Sequence, residues 1–338
     1  MTTLQELSNL RTQIASRVML CTAPADWAIN YCNDLLLESL LALYDATQDK
    51  TYLDFVLNVA RKRGWTPATV VPYQSQPFCC VTYEIYARVK DPAYVAPFLA
   101  QTALYRQEVL RSFDGAICHY GPEKPNRVLI DQLQDYAVRM SRAGALNGDD
   151  SYFEEAAQQY ELFRAALRDP VTGLWGHARG WWDDPRAVVT TPWLRGHGWL
   201  IRGMVNALHA IPPERPQHHR MRSILTEFAA DLLRFQRPDG MWTQVVDEPD
   251  TYAETSGTAM LACMFLDAAR AGYLPAEPYV SAAERARAAL LDYVNADGVV
   301  LNGCISTGPQ PTREDYRKRP CPDDDPHAVA ALIFAFSC

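Results

Sequence analysis

Apolar residues recur at intervals of three and four through most of this 338-residue chain, the spacing that turns one face of an α-helix inward. Residues 24–46 keep this rhythm from Pro-Ala-Asp through Trp27, Leu35, Leu36, Leu40 and Leu43, which predicts a long helix. Roughly the first 20 residues read as an N-terminal helix or arm. A phrase then repeats: a helix end, a short polar turn with Asp, a Tyr and a new helix. It reads Asp49-Lys-Thr-Tyr52, Asp91-Pro-Ala-Tyr94 and Asp150-Ser-Tyr152, with Glu277-Pro-Tyr279 as a weaker echo. Asp in such turns can accept from the free N–H groups that open the following helix.

A second phrase is a Gly turn followed by apolar residues: Asp114-Gly-Ala-Ile117, Thr172-Gly-Leu-Trp175, Asp239-Gly-Met-Trp242 and Asp297-Gly-Val-Val300. Its glycines stand at 115, 173, 240 and 298, spaced 58, 67 and 58 residues apart, enough for two helices plus connections per unit. Stacked helical hairpins follow from this, as an open solenoid or as a closed double ring. The closed ring is preferred: an all-α (α/α)6 barrel, with strands only as short β-hairpins in the connecting loops. No linker or composition break divides the chain, and Ile211-Pro-Pro-Glu-Arg-Pro216 reads as a loop, so residues 1–338 form one domain.

Composition narrows the partners. A net charge of −8 without any Lys/Arg run argues against nucleic acid and anionic membranes. No run of about 18 apolar residues could span a bilayer. The opening Met-Thr-Thr-Leu-Gln-Glu-Leu lacks a signal-peptide pattern. Nine scattered cysteines, with Cys79-Cys80 the one close pair, fit free thiols in a reducing compartment, hence a cytoplasmic protein.

In a helical ring the inner helices direct their N-terminal ends to one mouth, and such ends favour anions. Segments 128–136, 175–182 and 193–199 are placed to line that mouth. The last, Trp193-Leu-Arg-Gly-His-Gly-Trp199, offers two indole faces on which a sugar can stack and a guanidinium suited to a carboxylate. Packing of a Trp-rich helix start explains the same residues as well. Asp131 opens a helical pattern and Asp135 follows one turn later; two close carboxylates in an apolar mouth repel, so one holds its proton as a general acid requires. Otherwise Asp131 is a helix cap and Asp135 pairs with solvent or Arg139. His177 lies among Trp175, Arg179, Trp181 and Trp182, which favours a substrate pocket, whereas His119 is a weaker candidate that reads as structural. Glu254-Thr-Ser-Gly-Thr258 can place small hydroxyls at a helix entry near the mouth, and capping alone explains it as well. Asp323-Asp-Asp-Pro-His327 lacks alternating ligand spacing and is read as solvated, so no metal or cofactor is expected. There is no nucleophile elbow, phosphate-binding loop or dinucleotide fingerprint.

Taken in order, Ile130-Asp131-Gln-Leu133, Gly173-Leu-Trp-Gly-His177, Trp193 to Trp199, Asp239-Gly-Met-Trp242 and Glu254-Thr-Ser-Gly-Thr258 resemble the unsaturated glucuronyl and rhamnogalacturonyl hydrolases, glycoside hydrolase families 88 and 105. The resemblance spans about residues 25–335. It implies an (α/α)6 barrel that removes a 4,5-unsaturated uronic acid from the non-reducing end of lyase-generated acidic oligosaccharides. In that family an Asp protonates C4 of the vinyl ether, water adds at C5, the hemiketal rearranges and the aglycone leaves. Asp131 matches the acid/base position. His177, Trp193, Arg195 and Trp199 match the substrate subsite, with Arg195 and His177 expected to hold the uronate or its neighbouring hydroxyls while the indoles stack on the ring. Trp182, His197 and Gln76 complete the substrate-binding candidates, and the protein is expected to be a monomer or homodimer.

This chain departs from the family pattern twice. His197 stands where the family usually has Asn, replacing an amide by a titratable ring. Tyr73-Gln-Ser-Gln-Pro-Phe-Cys79 has no acid where the family usually has a second one. Either Asp135 substitutes for it, or Gln74 or Gln76 suffices, or the reaction differs. The competing functions are a toroidal sugar epimerase, an inverting hydrolase of saturated sugars and a non-catalytic sugar binder.

Overall fold

The computed structural model describes residues 3–21, 27, 30–63, 81–119 and 125–338. Its helices are α1 (Thr3–Cys21), α2 (Tyr31–Thr47), α3 (Lys50–Arg63), α4 (Val81–Val89), α5 (Pro92–Glu108), α6 (Gln132–Asn147), α7 (Asp150–Leu167), α8 (Leu194–Ala210), α9 (Pro216–Leu233), α10 (Thr255–Arg270), α11 (Ala276–Leu290), the short α12 (Arg313–Arg317) and α13 (Pro326–Ser337). Helices α6, α8, α10, α13, α2 and α4 pack side by side in that order. Glu84 of α4 pairs with Arg142 of α6 and closes the ring. Each inner helix has an outer partner: α3, α5, α7, α9 and α11 follow their inner helices, and α1 packs on α13. The N-terminal helix is thus the sixth outer member of an (α/α)6 barrel.

Burial explains the layering. Helix α8 is buried on nearly every face, as are α10 and α13, and hydrophobic residues all round suit an inner ring. Outer helices such as α9 bury one stripe, Met221, Leu225, Phe228 and Leu232, and leave the rest to solvent.

The repeated phrases have physical causes. All four repeat glycines carry positive φ, between +76° and +97°, a region that L side chains rarely enter. Their turns are flanked by bridges such as Arg168↔Trp175 and Val294↔Val300, the short hairpins expected there. Asp91 caps α5 by accepting from Ala93 N–H at 2.9 Å. For α7 the cap is Asp149, not Asp150. The helix expected over 24–46 starts later, at Tyr31, because Asn30 Oδ1 accepts from the Asn33 N–H and fixes its beginning.

Two features were not expected. Strands β1 (Val128–Leu129), β2 (Ala178–Arg179) and β3 (Val188–Val189) form a small antiparallel sheet, which ties segment 128–136 to segment 175–182. Cys263 and Cys338 form a disulfide between α10 and the end of α13, so the expectation of free thiols is wrong for this pair; Cys32, Cys118, Cys304 and Cys321 are free. Among the described residues no helix is long and apolar enough to cross a membrane.

Candidate active site

Where the inner helices begin, a cleft of about 240 Å³ is lined by Tyr31, His119, Leu129, Asp131, Trp193, Arg195, Trp199, Ser306 to Gly308 and His327. A larger hollow of about 440 Å³ lies at the opposite mouth, among the C-terminal halves of the same helices. Its charges are already matched, Glu38 with Arg202 and Glu84 with Arg88. The first cleft gathers helix N-termini, aromatic faces and an acid that lacks a full set of partners among the described residues. It is the candidate site.

Asp131 occupies the N-cap position of α6 in αR backbone, and its side chain makes no capping hydrogen bond. The carboxylate is therefore not engaged in helix capping. It is only 5% exposed. Oδ2 lies 3.3 Å from His177 Nε2, while Oδ1 is buried and has no hydrogen-bond partner among the described residues. A buried acceptor left unsatisfied is costly, which suits an atom that meets a ligand. His177 is fully buried behind Asp131, its Nδ1 2.6 Å from the Tyr316 hydroxyl and its ring 4.5 Å from Trp193. It orients the acid and is not among the residues that line the cleft.

Arg195 is stacked on Trp193, 4.7 Å from the ring, and its Nη atoms donate to the Cys304 and Ile305 carbonyls. Asp325 stands 3.9 Å away. An open fork awaiting a carboxylate is thus not what the fold presents; Arg195 is a fixed positive charge in the wall. The buried Trp193 indole N–H has no acceptor among the described residues. Trp199 forms the adjoining wall.

The remaining candidates part from the site. Asp135 is fully buried and accepts from Arg139 Nε at 2.5 Å. Its pKa is pushed up to about 7, first by burial, with Arg139 opposing and Glu38 and Asp34 adding to the rise. Repulsion from Asp131, the expected cause, is not among the main causes of this rise. His197 is also fully buried: Nε2 accepts from the Trp175 N–H at 3.1 Å and Nδ1 donates to the Trp193 carbonyl at 2.8 Å. Stacked on Phe228, it braces the wall instead of facing the cleft. Trp182 is 47% exposed and lies outside the cleft. Gln74, Gln76 and the 73–79 segment lie outside the described residues. Glu254 caps α10 through Ser256 and Gly257. No metal-binding cluster of His, Cys, Asp and Glu occurs among the described residues.

Sequence reasoning missed Tyr31 and the Ser306–Gly308 loop, and it read Asp323–His327 as solvated, whereas Asp325 and His327 are buried. The signal was present in part, since Asp325-Pro326 is an N-cap followed by proline in the first turn, the mark of a helix start. Nothing local revealed that this start shares a mouth with Asp131.

A closed ring of helix pairs with a buried acid, two indoles and a fixed arginine at one mouth defines a carbohydrate-active (α/α)6 enzyme. The profile of Glycosyl Hydrolase Family 88 matches residues 9–337, and the chain belongs to that family; it is a glycoside hydrolase. Among its relatives is the unsaturated rhamnogalacturonyl hydrolase YesR of Bacillus subtilis, 23% identical over 318 residues, which cover 91% of this chain and 89% of that one. A possible family 105 member from Salmonella enterica shares the fold with a TM-score of 0.83 at 21% identity, covering 99% of this chain and 93% of that structure. The unsaturated glucuronyl hydrolase of Bacillus sp. GL1 superposes with a TM-score of 0.74 at 17% identity, covering 98% and 96%.

Proposed function

We propose that this enzyme removes a 4,5-unsaturated uronic acid from the non-reducing end of acidic oligosaccharides by hydrating the C4=C5 vinyl ether. The observation that carries this reading is Asp131, a buried carboxyl group with one oxygen on His177 and the other without a partner among the described residues, in a cleft walled by indoles. Protonated Asp131 delivers its proton to C4. Positive charge then develops at C5, where water adds, and the hemiketal opens and releases the aglycone. Trp193 and Trp199 offer faces for the sugar ring. Arg195 supplies a positive potential for the uronate without needing a bidentate contact. His177, held by Tyr316, keeps Asp131 aimed at the cleft.

The test follows the ultraviolet absorbance of the conjugated double bond in lyase digests of pectin, rhamnogalacturonan, ulvan and glycosaminoglycans. Wild-type enzyme is expected to bleach at least one digest. Asp131→Asn is expected to lower the rate by at least about 10²-fold, the lower range for losing a general acid. Unchanged turnover in that variant would overturn the assignment of Asp131.

A further inference from the structure

Facing Asp131 in the same cleft is a second chain of proton-bearing groups that the reaction as described leaves unused. Asp325 Oδ1 lies 2.8 Å from His327 Nδ1, His327 Nε2 lies 3.1 Å from the Tyr31 hydroxyl, and Tyr31 lies 2.6 Å from Ser306 Oγ. Tyr31, Ser306 and His327 all line the cleft. The order fixes the polarity. Because an ionised carboxylate only accepts, neutral His327 donates Nδ1–H to Asp325 and keeps a bare Nε2. Tyr31 O–H donates to that nitrogen, and the Ser306 hydroxyl donates to the Tyr31 oxygen. Cys32 Sγ, 3.6 Å from Nε2, is a weaker partner. Asp325 is itself locked, accepting from the His327 N–H as the cap of α13.

We infer that Tyr31, held by His327 and Asp325, is the second proton-transfer group of this site. The inference rests on the hydration reading above and deepens it. As Asp131 protonates C4 and the oxygen of water bonds to C5, a water proton passes to the Tyr31 oxygen while the phenolic proton moves to His327 Nε2. The imidazolium so formed faces Asp325. In the return step the C5–O bond to the ring oxygen breaks. His327 gives its proton back to Tyr31, and Tyr31 gives its own to the departing ring oxygen. The C5 hydroxyl becomes the ketone and yields its proton to the Asp131 carboxylate, restoring the acid. The open-chain hemiacetal then releases the aglycone, one proton moving from its hydroxyl to the leaving oxygen. Tyr31 is the catalytic residue here; His327 and Asp325 position it and hold its proton.

The groups facing His327 are Asp325 at its own helix cap, Arg195 on α8, Asp131 on α6, and Tyr31 and Cys32 on α2. Burial first, and Arg195 second, hold the imidazole below its ordinary range, with Asp325 and Asp131 opposing. Neutral His327 is the form the relay needs. The test uses an unsaturated uronyl disaccharide with wild type, Tyr31→Phe, His327→Gln and Asp325→Asn. Tyr31→Phe keeps the ring contact with His327 (centroids 5.4 Å apart), so its packing survives. It is expected to lower kcat by about 10²-fold with KM changed by less than about threefold. Asp325→Asn keeps an oxygen that accepts from Nδ1 and from the His327 N–H but removes the negative charge facing the imidazolium, and is expected to lower kcat in the same direction as Tyr31→Phe with KM little changed. His327→Gln is expected to erase the acid-side limb of the kcat/KM profile. Unchanged kcat in Tyr31→Phe, or an acid limb that persists in His327→Gln, overturns the relay alone. A wild type inert on every lyase product overturns the relay together with the reading beneath it.

Discussion

His197 shows how a single buried ring can be legible in type and illegible in role. Its position between two glycines of the Trp193–Trp199 run suggests a ligand contact, yet both ring nitrogens are spent on the backbone of Trp175 and Trp193. It pins the loop that carries His177 to the helix that carries Trp193. Burial pushes its pKa down from 6.5 to about 4, the Trp193 carbonyl opposing. The folded state thus prefers the neutral ring, while the unfolded chain binds a proton below pH 6.5. The stability it contributes is complete above pH 6.5 and is lost as the pH falls toward 4. Denaturant unfolding across that window is expected to show wild type losing stability with acid and His197→Asn losing less; parallel slopes would contradict this. His197→Ala, which leaves the buried Trp175 N–H without its acceptor while the Trp193 carbonyl keeps the N–H of residue 197, is expected to cost about 1–3 kcal/mol at neutral pH.

At the scale of elements, close helix approach depends on residues whose importance periodicity hides. Gly203 lies in the interior of α8, where a Cβ would meet the Tyr160 hydroxyl and come within 2.8 Å of the Gln134 Cα on α6. Tyr160 is itself fixed by donating to the Leu200 carbonyl at 3.1 Å. Alanine raises helix propensity by about 1 kcal/mol, but here the neighbour is backbone and has little room to yield. Gly203→Ala is expected to destabilise by about 1–3 kcal/mol, measured by chemical denaturation; a more stable variant would show that α6 and α8 can separate. The turn glycines were readable because positive φ marks them at any distance from the core. Gly203 carries no such mark, and its cause is a neighbour on another helix.

For the whole molecule, closure is the issue. Helix α1 covers α13, and the Cys263–Cys338 disulfide joins α13 to α10 across 75 residues of sequence. The first and last helices are thereby held to the ring that neither could complete alone. Cys263→Ser is expected to lower stability by roughly 2–4 kcal/mol. Reductant should bring wild type down to the same midpoint and leave the variant unmoved; a wild type insensitive to reductant would speak against the bond.

The sequence by itself determined the helical hairpins, their glycine turns and the order of its motifs, because these follow from periodicity and backbone conformation, which are local; it left open whether the hairpins close into a ring. It also marked Asp131, Trp193, Arg195 and Trp199, all four of which line one cleft. Only the tertiary structure decided which polar groups face that cleft. Asp135 sits one turn from Asp131 yet is buried against Arg139, while Asp325 and His327, almost 200 residues further along the chain, close the site beside Tyr31. Contact in a ring is set by angular position about its axis and height along it. Neither can be read from distance along the chain.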